Sequence, residues 1–176
     1  MIIHMRILAR AACAAVVLAW MLGAPALAAA QQLVIVVRHA ERADAGAPQG
    51  RMTAAPDPPL SAAGKARAEK LASMLSAAGV TAIYTTEFKR TQQTAAPLAA
   101  MLGVTPKTMP SNDTAALVAD LRARHARDIV LVVGHSNTVP DVIKAFGGPV
   151  VTIGDDEYDN VFIVVPATGA FTRIKF

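Results

Sequence analysis

Two kinds of hydrophobic spacing alternate along this chain. Residues 33–37 (LVIVV) and 129–133 (IVLVV) are unbroken apolar runs of strand length, rich in β-branched side chains. Such runs read as strands buried on both faces. Other segments repeat their apolar positions at helical spacing. After Ser61, a candidate N-cap, come Ala68, Leu71, Leu75 and Ala78, with Gly79 as the stop. Residues 80–84 read as a second strand. A second helix is expected from near Glu87 to Leu102, ended by Gly103 and kinked or broken at Pro97. Residues 104–109 read as an edge strand, 113–126 as a third helix, and 139–146 as a fourth that Gly147-Gly148 ends. Residues 161–165 and 171–175 read as closing strands joined by a turn at 167–169.

Strand–helix alternation around two fully apolar strands predicts an α/β fold. The expected architecture is a three-layer, doubly wound, mostly parallel sheet with helices on both faces, the last strand pair being antiparallel. A polar, Gly/Pro-rich loop is expected at about 43–59. No internal repeat and no domain linker interrupts the pattern.

Some of the hydrophobicity lies outside this pattern. Arg6 and Arg10 precede an uncharged apolar run at 11–24, Pro25 breaks it, and Ala26-Leu27-Ala28 offers a small-x-small cleavage site. Residues 1–28 therefore read as a secretory signal peptide, and 29–176 as one domain. The run is short for a bilayer span, which needs roughly 20 apolar residues. The expectation is a periplasmic or secreted protein with no stable membrane insertion after cleavage.

Cleavage changes the charge. Removing Arg6 and Arg10 leaves 15 basic against 13 acidic side chains, a charge of +2. The chain also lacks a basic run with interleaved aromatics, so no nucleic-acid partner is expected. The single cysteine, Cys13, falls within the signal, and the mature domain would hold neither thiol nor disulfide.

In open α/β sheets, ligands bind beyond the carboxyl ends of the strands. The first apolar strand runs into Arg38-His39-Ala40-Glu41-Arg42. The second strand leads to Thr85-Thr86-Glu87-Phe88-Lys89-Arg90. The third run leads to Gly134-His135-Ser136-Asn137. Any one of these would pass as a capping or solvated residue. Together they bring two histidines and two arginines to one sheet edge. Arginine forks match phosphate oxygens, an unprotonated imidazole is a nucleophile toward phosphorus, and phosphoryl transfer needs neutralised equatorial oxygens. His39 is the candidate nucleophile, and Arg38, Arg90 and His135 are the candidate phosphate ligands.

These residues resemble the motifs of the histidine phosphatase superfamily, the phosphoglycerate mutase-like enzymes. Val36-Val37-Arg38-His39-Ala40-Glu41 is similar to its Arg-His-Gly signature. Leu60-Ser61-Ala62-Ala63-Gly64 is similar to the start of its first helix. Arg90-Thr91-Gln92-Gln93-Thr94-Ala95 and Val133-Gly134-His135-Ser136 are similar to its second-arginine and second-histidine motifs. The resemblance implies a doubly wound sheet with one opposed strand, and a phosphohistidine intermediate on His39 formed without metal or other cofactor. Ala40 replaces the usual Gly. Arg42 resembles the larger acid phosphatase branch, adding a candidate phosphate contact, but Ser136 stands where that branch has Asp. The short length fits the smaller branch.

The resemblance also implies a general acid for the leaving group. The candidates are Asp113, then Glu41, then Glu157 of the acidic loop 155–159 (DDEYD), each with a structural alternative as cap, orienting group or solvated turn. Three functions are weighed. The first is an exported, metal-independent phosphomonoesterase acting on a phosphorylated small molecule, envelope sugars included. The second is a phosphate-binding protein without turnover. The third is a metal hydrolase built on His39 and His135, which the flanking arginines oppose because cations repel a metal.

Overall fold

A computed structural model describes residues 32–44 and 57–176. The predicted signal, 1–28, lies outside the described residues, as does most of the predicted polar loop. The elements run β1 (Leu33–Arg38), α1 (Ala62–Leu75), β2 (Val80–Thr86), α2 (Lys89–Leu102), β3 (Lys107–Met109), α3 (Thr114–Arg124), β4 (Ile129–Gly134), α4 (Val139–Ala145), β5 (Asn160–Val165) and β6 (Ala170–Lys175).

The strands form one six-stranded sheet in the order β3-β2-β4-β1-β5-β6. Strands β3, β2, β4 and β1 are parallel, and β5 runs antiparallel to both of its neighbours. The sheet is thus mostly parallel with one opposed strand. The β1–β4 pair sits at its centre, which is why the two fully apolar runs are these two strands.

Period-two alternation divides the core between the two faces. Val34, Val36, Val130 and Val132 pack with Leu121, Val142, Ile143 and Phe146, on the side of α3 and α4. Ile35, Val37, Leu131 and Val133 pack with Leu71, Leu75, Ala95 and Leu98, on the side of α1 and α2. Helices therefore cover both faces, giving the three layers expected from the sequence.

Two elements depart from expectation. Helix α2 runs unbroken from Lys89 to Leu102 across Pro97. Proline removes one backbone donor and costs about 3 kcal/mol in a helix interior. Here Thr94, Ala95, Leu98 and Ala99 are buried on either side of it, and burial of a leucine side chain alone contributes about 1.5–3 kcal/mol. The edge strand is also shorter than predicted, three residues at Lys107–Met109, because β3 has a single neighbour and pairs only with Tyr84, Thr85 and Thr86.

Candidate active site

Register places the histidines side by side. Arg38 pairs with Gly134 across β1 and β4, and the His39 N–H continues the ladder by donating to the Gly134 carbonyl at 2.9 Å. The residues that follow, His39 and His135, therefore leave the sheet together, with ring centroids 5.4 Å apart. Strand β2 lies on the far side of β4 with Tyr84 against Val132, so Thr86 exits beside His135. Their contact, Thr86 Oγ1 to His135 Nε2, is 3.1 Å.

His39 is 5 % exposed, and its ring is fixed by one bond. Nδ1 lies 2.7 Å from the Ala40 carbonyl. A carbonyl only accepts, so Nδ1 carries the proton and Nε2 keeps its lone pair. Electrostatics reinforce this state. Burial, with His135, Arg90 and Arg38 nearby, lowers the His39 pKa to about 3, against the opposing Ala40 bond. A neutral imidazole with an unprotonated Nε2 is the form a nucleophile requires. Burial and Arg90 likewise lower His135 to about 4, with Glu87 opposing.

Each arginine is held differently. Arg38 Nη1 donates to the carbonyls of Gly154 at 2.8 Å, Asp155 at 2.9 Å and Glu157 at 3.3 Å. The Arg38 guanidinium also lies 4.0 Å from the ring centroid of Tyr158. Arg90 opens α2, and its guanidinium lies 4.1 Å from the ring of Phe88. Its Nη1 is 3.7 Å from Asp57, whose carboxylate also accepts the Lys89 N–H at 3.1 Å. In both arginines Nε is buried without an acceptor among the described residues.

Around these residues a scaffold of hydroxyls ties the strand exits to α2. Thr94 Oγ1 accepts the Ala40 N–H at 2.9 Å and donates to the Arg90 carbonyl at 2.7 Å. Thr91 Oγ1 donates to the Phe88 carbonyl at 2.8 Å and accepts the Thr86 N–H at 3.1 Å. The residue after His39 and the helix carrying Arg90 thus share one polar frame. Ala40 fits without strain. No non-glycine residue among those described has a positive φ, and the Ala40 methyl is buried against Leu60 and Ala68.

The remaining candidates are engaged with other partners. Glu41 receives Arg67, with Nη2 at 2.6 Å. Asp113 caps α3 by accepting the Ala116 N–H at 2.8 Å. Arg42 pairs with Asp44 at 2.8 Å. The loop 155–159 does reach the site, but through backbone carbonyls and Tyr158. The Glu157 carboxylate turns to Arg173 at 2.9 Å and Lys175 at 3.2 Å.

Sequence reasoning missed Asp57, Thr86, Phe88 and Tyr158 as members of the site. Thr86 and Phe88 lay within an exit segment already singled out, and Tyr158 within the acidic loop. No three His, Cys, Asp or Glu side chains among the described residues gather as a metal-binding group.

Comparison with known proteins agrees with the fold. Residues 34–111 match the model of the histidine phosphatase superfamily, branch 1, which bears out the resemblance read from the motifs. A PE-PGRS family protein of Mycobacterium tuberculosis, PE_PGRS11, is 33% identical over 145 residues, covering 70% of this chain but only 24% of that protein. The solved protein histidine phosphatase SixA, complexed with tungstate, superposes with a TM-score of 0.61 at 20% identity, covering 81% of this chain and 94% of that one. A mycobacterial glucosyl-3-phosphoglycerate phosphatase, complexed with inorganic phosphate, superposes with a TM-score of 0.58 at 16% identity, covering 75% and 88%. At these identities the two structures speak for the fold.

Proposed function

We propose that this chain, a branch 1 histidine phosphatase by its residues 34–111, is a metal-independent phosphomonoesterase that turns over through a phosphohistidine on His39. The observation that carries this reading is the bond from His39 Nδ1 to the Ala40 carbonyl at 2.7 Å. It leaves Nε2 unprotonated between two arginines and a second histidine.

The chain's own residues divide the work. Arg38 and Arg90 draw a phosphate dianion onto Nε2 and neutralise its equatorial oxygens as the P–O bond to the leaving group breaks. His135 is braced by Thr86 through Nε2, and its Nδ1 makes no hydrogen bond to a described residue. Once an anion is bound, His135 is placed to take up a proton and donate to a phosphate oxygen. Water then attacks the phosphorus, and Nε2 leaves with its electron pair.

The substrate is a phosphorylated small molecule met outside the cytoplasm, with envelope sugars as the first class to screen. The names of the two solved relatives, a protein histidine phosphatase and a phosphatase of a glucosylated phosphoglycerate, span phosphoramidates and phosphorylated sugar derivatives. A phosphate binder without turnover is motivated by Ala40 and by the unassigned general acid. The relaxed backbone and buried methyl at Ala40 take away the first of these grounds.

The test is hydrolysis of 4-nitrophenyl phosphate by purified protein in EDTA, beside His39→Ala. Wild-type turnover that falls at least about 10⁴-fold in the variant supports the reading. Equal rates in the two proteins, or activity that returns only with added zinc, would sink it.

A further inference from the structure

We infer that Tyr158 is the proton donor to the leaving-group oxygen, an assignment that rests on His39 being the nucleophile. The argument begins with sheet order. Strands β2, β4, β1 and β5 are consecutive neighbours, and each contributes one ring at the same edge. Phe88 follows β2, His135 follows β4, His39 follows β1, and Tyr158 precedes the opposed β5. The rings stand in a row with successive centroid separations of 5.4, 5.4 and 6.1 Å. The two outer rings are not equivalent. Phe88 borders His135, and Tyr158 borders the nucleophile itself, tilted 50° to its ring.

Tyr158 is also the outer ring that bears a proton. Its hydroxyl makes no hydrogen bond to a described residue, and its ring is fixed in place by Arg38 at 4.0 Å. The loop that carries it is clasped by the three carbonyl bonds to Arg38 Nη1. A phosphoryl group between Arg38 and His39 therefore has the Tyr158 ring as its neighbour on the β5 side. The nominated carboxylates are engaged with Arg67, the α3 terminus and the β6 cations. Asp57 is held by Lys89 N–H and Arg90. Glu87, at the β2 exit, accepts both Ser111 N at 2.8 Å and Ser111 Oγ at 2.7 Å. Residues 45–56, the undescribed part of the loop, contain no Asp, Glu, His or Cys. Asp155 and Asp156 are exposed at the tip of the Tyr158 loop and are the rivals to test.

The step balances. His39 Nε2 forms the N–P bond, the P–O bond to the leaving group breaks, and the Tyr158 O–H proton moves to the departing oxygen. In the second half, water attacks phosphorus, its proton returns to the Tyr158 phenolate, and Nε2 departs with its electron pair. The products are an alcohol and inorganic phosphate, with Tyr158 and His39 restored.

The test compares an alkyl ester, glycerol 2-phosphate, with 4-nitrophenyl phosphate, whose leaving group departs without a proton. In Tyr158→Phe, kcat/KM for the alkyl ester should fall at least about 100-fold, within the range of general acid catalysis. The aryl ester should change less than about threefold. Inhibition by tungstate should be unaltered, because the ring over Arg38 remains, whereas Tyr158→Leu should weaken it. Equal losses on both esters, or none, overturn the assignment. It is also overturned if the leaving-group dependence appears in Glu87→Gln or in Asp155→Asn/Asp156→Asn, or if the wild type cleaves the aryl ester and never the alkyl one. Failure of the wild type on both esters strikes the proposed function itself.

Discussion

At the residue scale, the site is defined by protonation states that burial enforces. His39 and His135 are lowered to about 3 and about 4 in the folded protein, against an ordinary value of about 6.5. Below that ordinary value the unfolded chain takes up protons that the folded protein refuses. Stability is therefore fully present above about pH 6.5 and falls as pH drops toward the folded values. Between pH 7 and pH 5, each histidine would account for up to about 2 kcal/mol if its shift were fully expressed. Thermal melts over that window should show a falling Tm in the wild type and a shallower fall in His39→Gln. Equal slopes would mean that His39 is not held neutral by the fold. The four motif residues were legible because their side chains have few bland reasons to converge at strand exits. Tyr158 was not. The loop before β5 advertises its acids, while its contacts to the site come from backbone carbonyls and a ring.

At the element scale, close approach of backbones matters more than helix propensity. Helix α1 begins against the turn that follows His39. Ser61 N–H donates to the Glu41 carbonyl at 2.9 Å, and the Ser61 hydroxyl caps the helix by accepting the Gly64 N–H at 3.0 Å. A Cβ at Gly64 would collide with that same Glu41 carbonyl oxygen. No side-chain rotation relieves a clash with backbone, so the helix or the turn must move. Gly64→Ala should destabilise the protein by about 2–4 kcal/mol, against a gain of about 1 kcal/mol for alanine in an unobstructed helix. Urea melts measure it, and an unchanged or raised midpoint would show that α1 does not pin the turn. The sequence makes Ser61 readable as a cap and Gly64 readable only through the resemblance. A glycine needed for a contact made across 23 residues leaves no local signature. Pro97 misleads for the converse reason: its local cost is plain, and the burial that offsets it is tertiary.

At the scale of the whole molecule, the first 28 residues and the domain make separate demands. The domain's hydrophobic runs alternate with polar faces and are buried in two core layers. The run at 11–24 has no polar face to alternate with, which is the pattern an export machinery reads and a packed domain does not need. The opposing reading, a retained anchor, would keep the domain at the membrane surface. No described helix of the domain is long and apolar enough to cross a bilayer. The cysteine distribution favours export, because an exported domain without Cys13 has no thiol to oxidise. Expression of the full chain in a Gram-negative host, followed by osmotic shock, should release protein whose N-terminal residue is Ala29. Recovery in the membrane fraction with the N-terminal segment intact would instead establish an anchor. It would also narrow the substrates to phosphorylated groups that reach the membrane face, including those carried on envelope lipids.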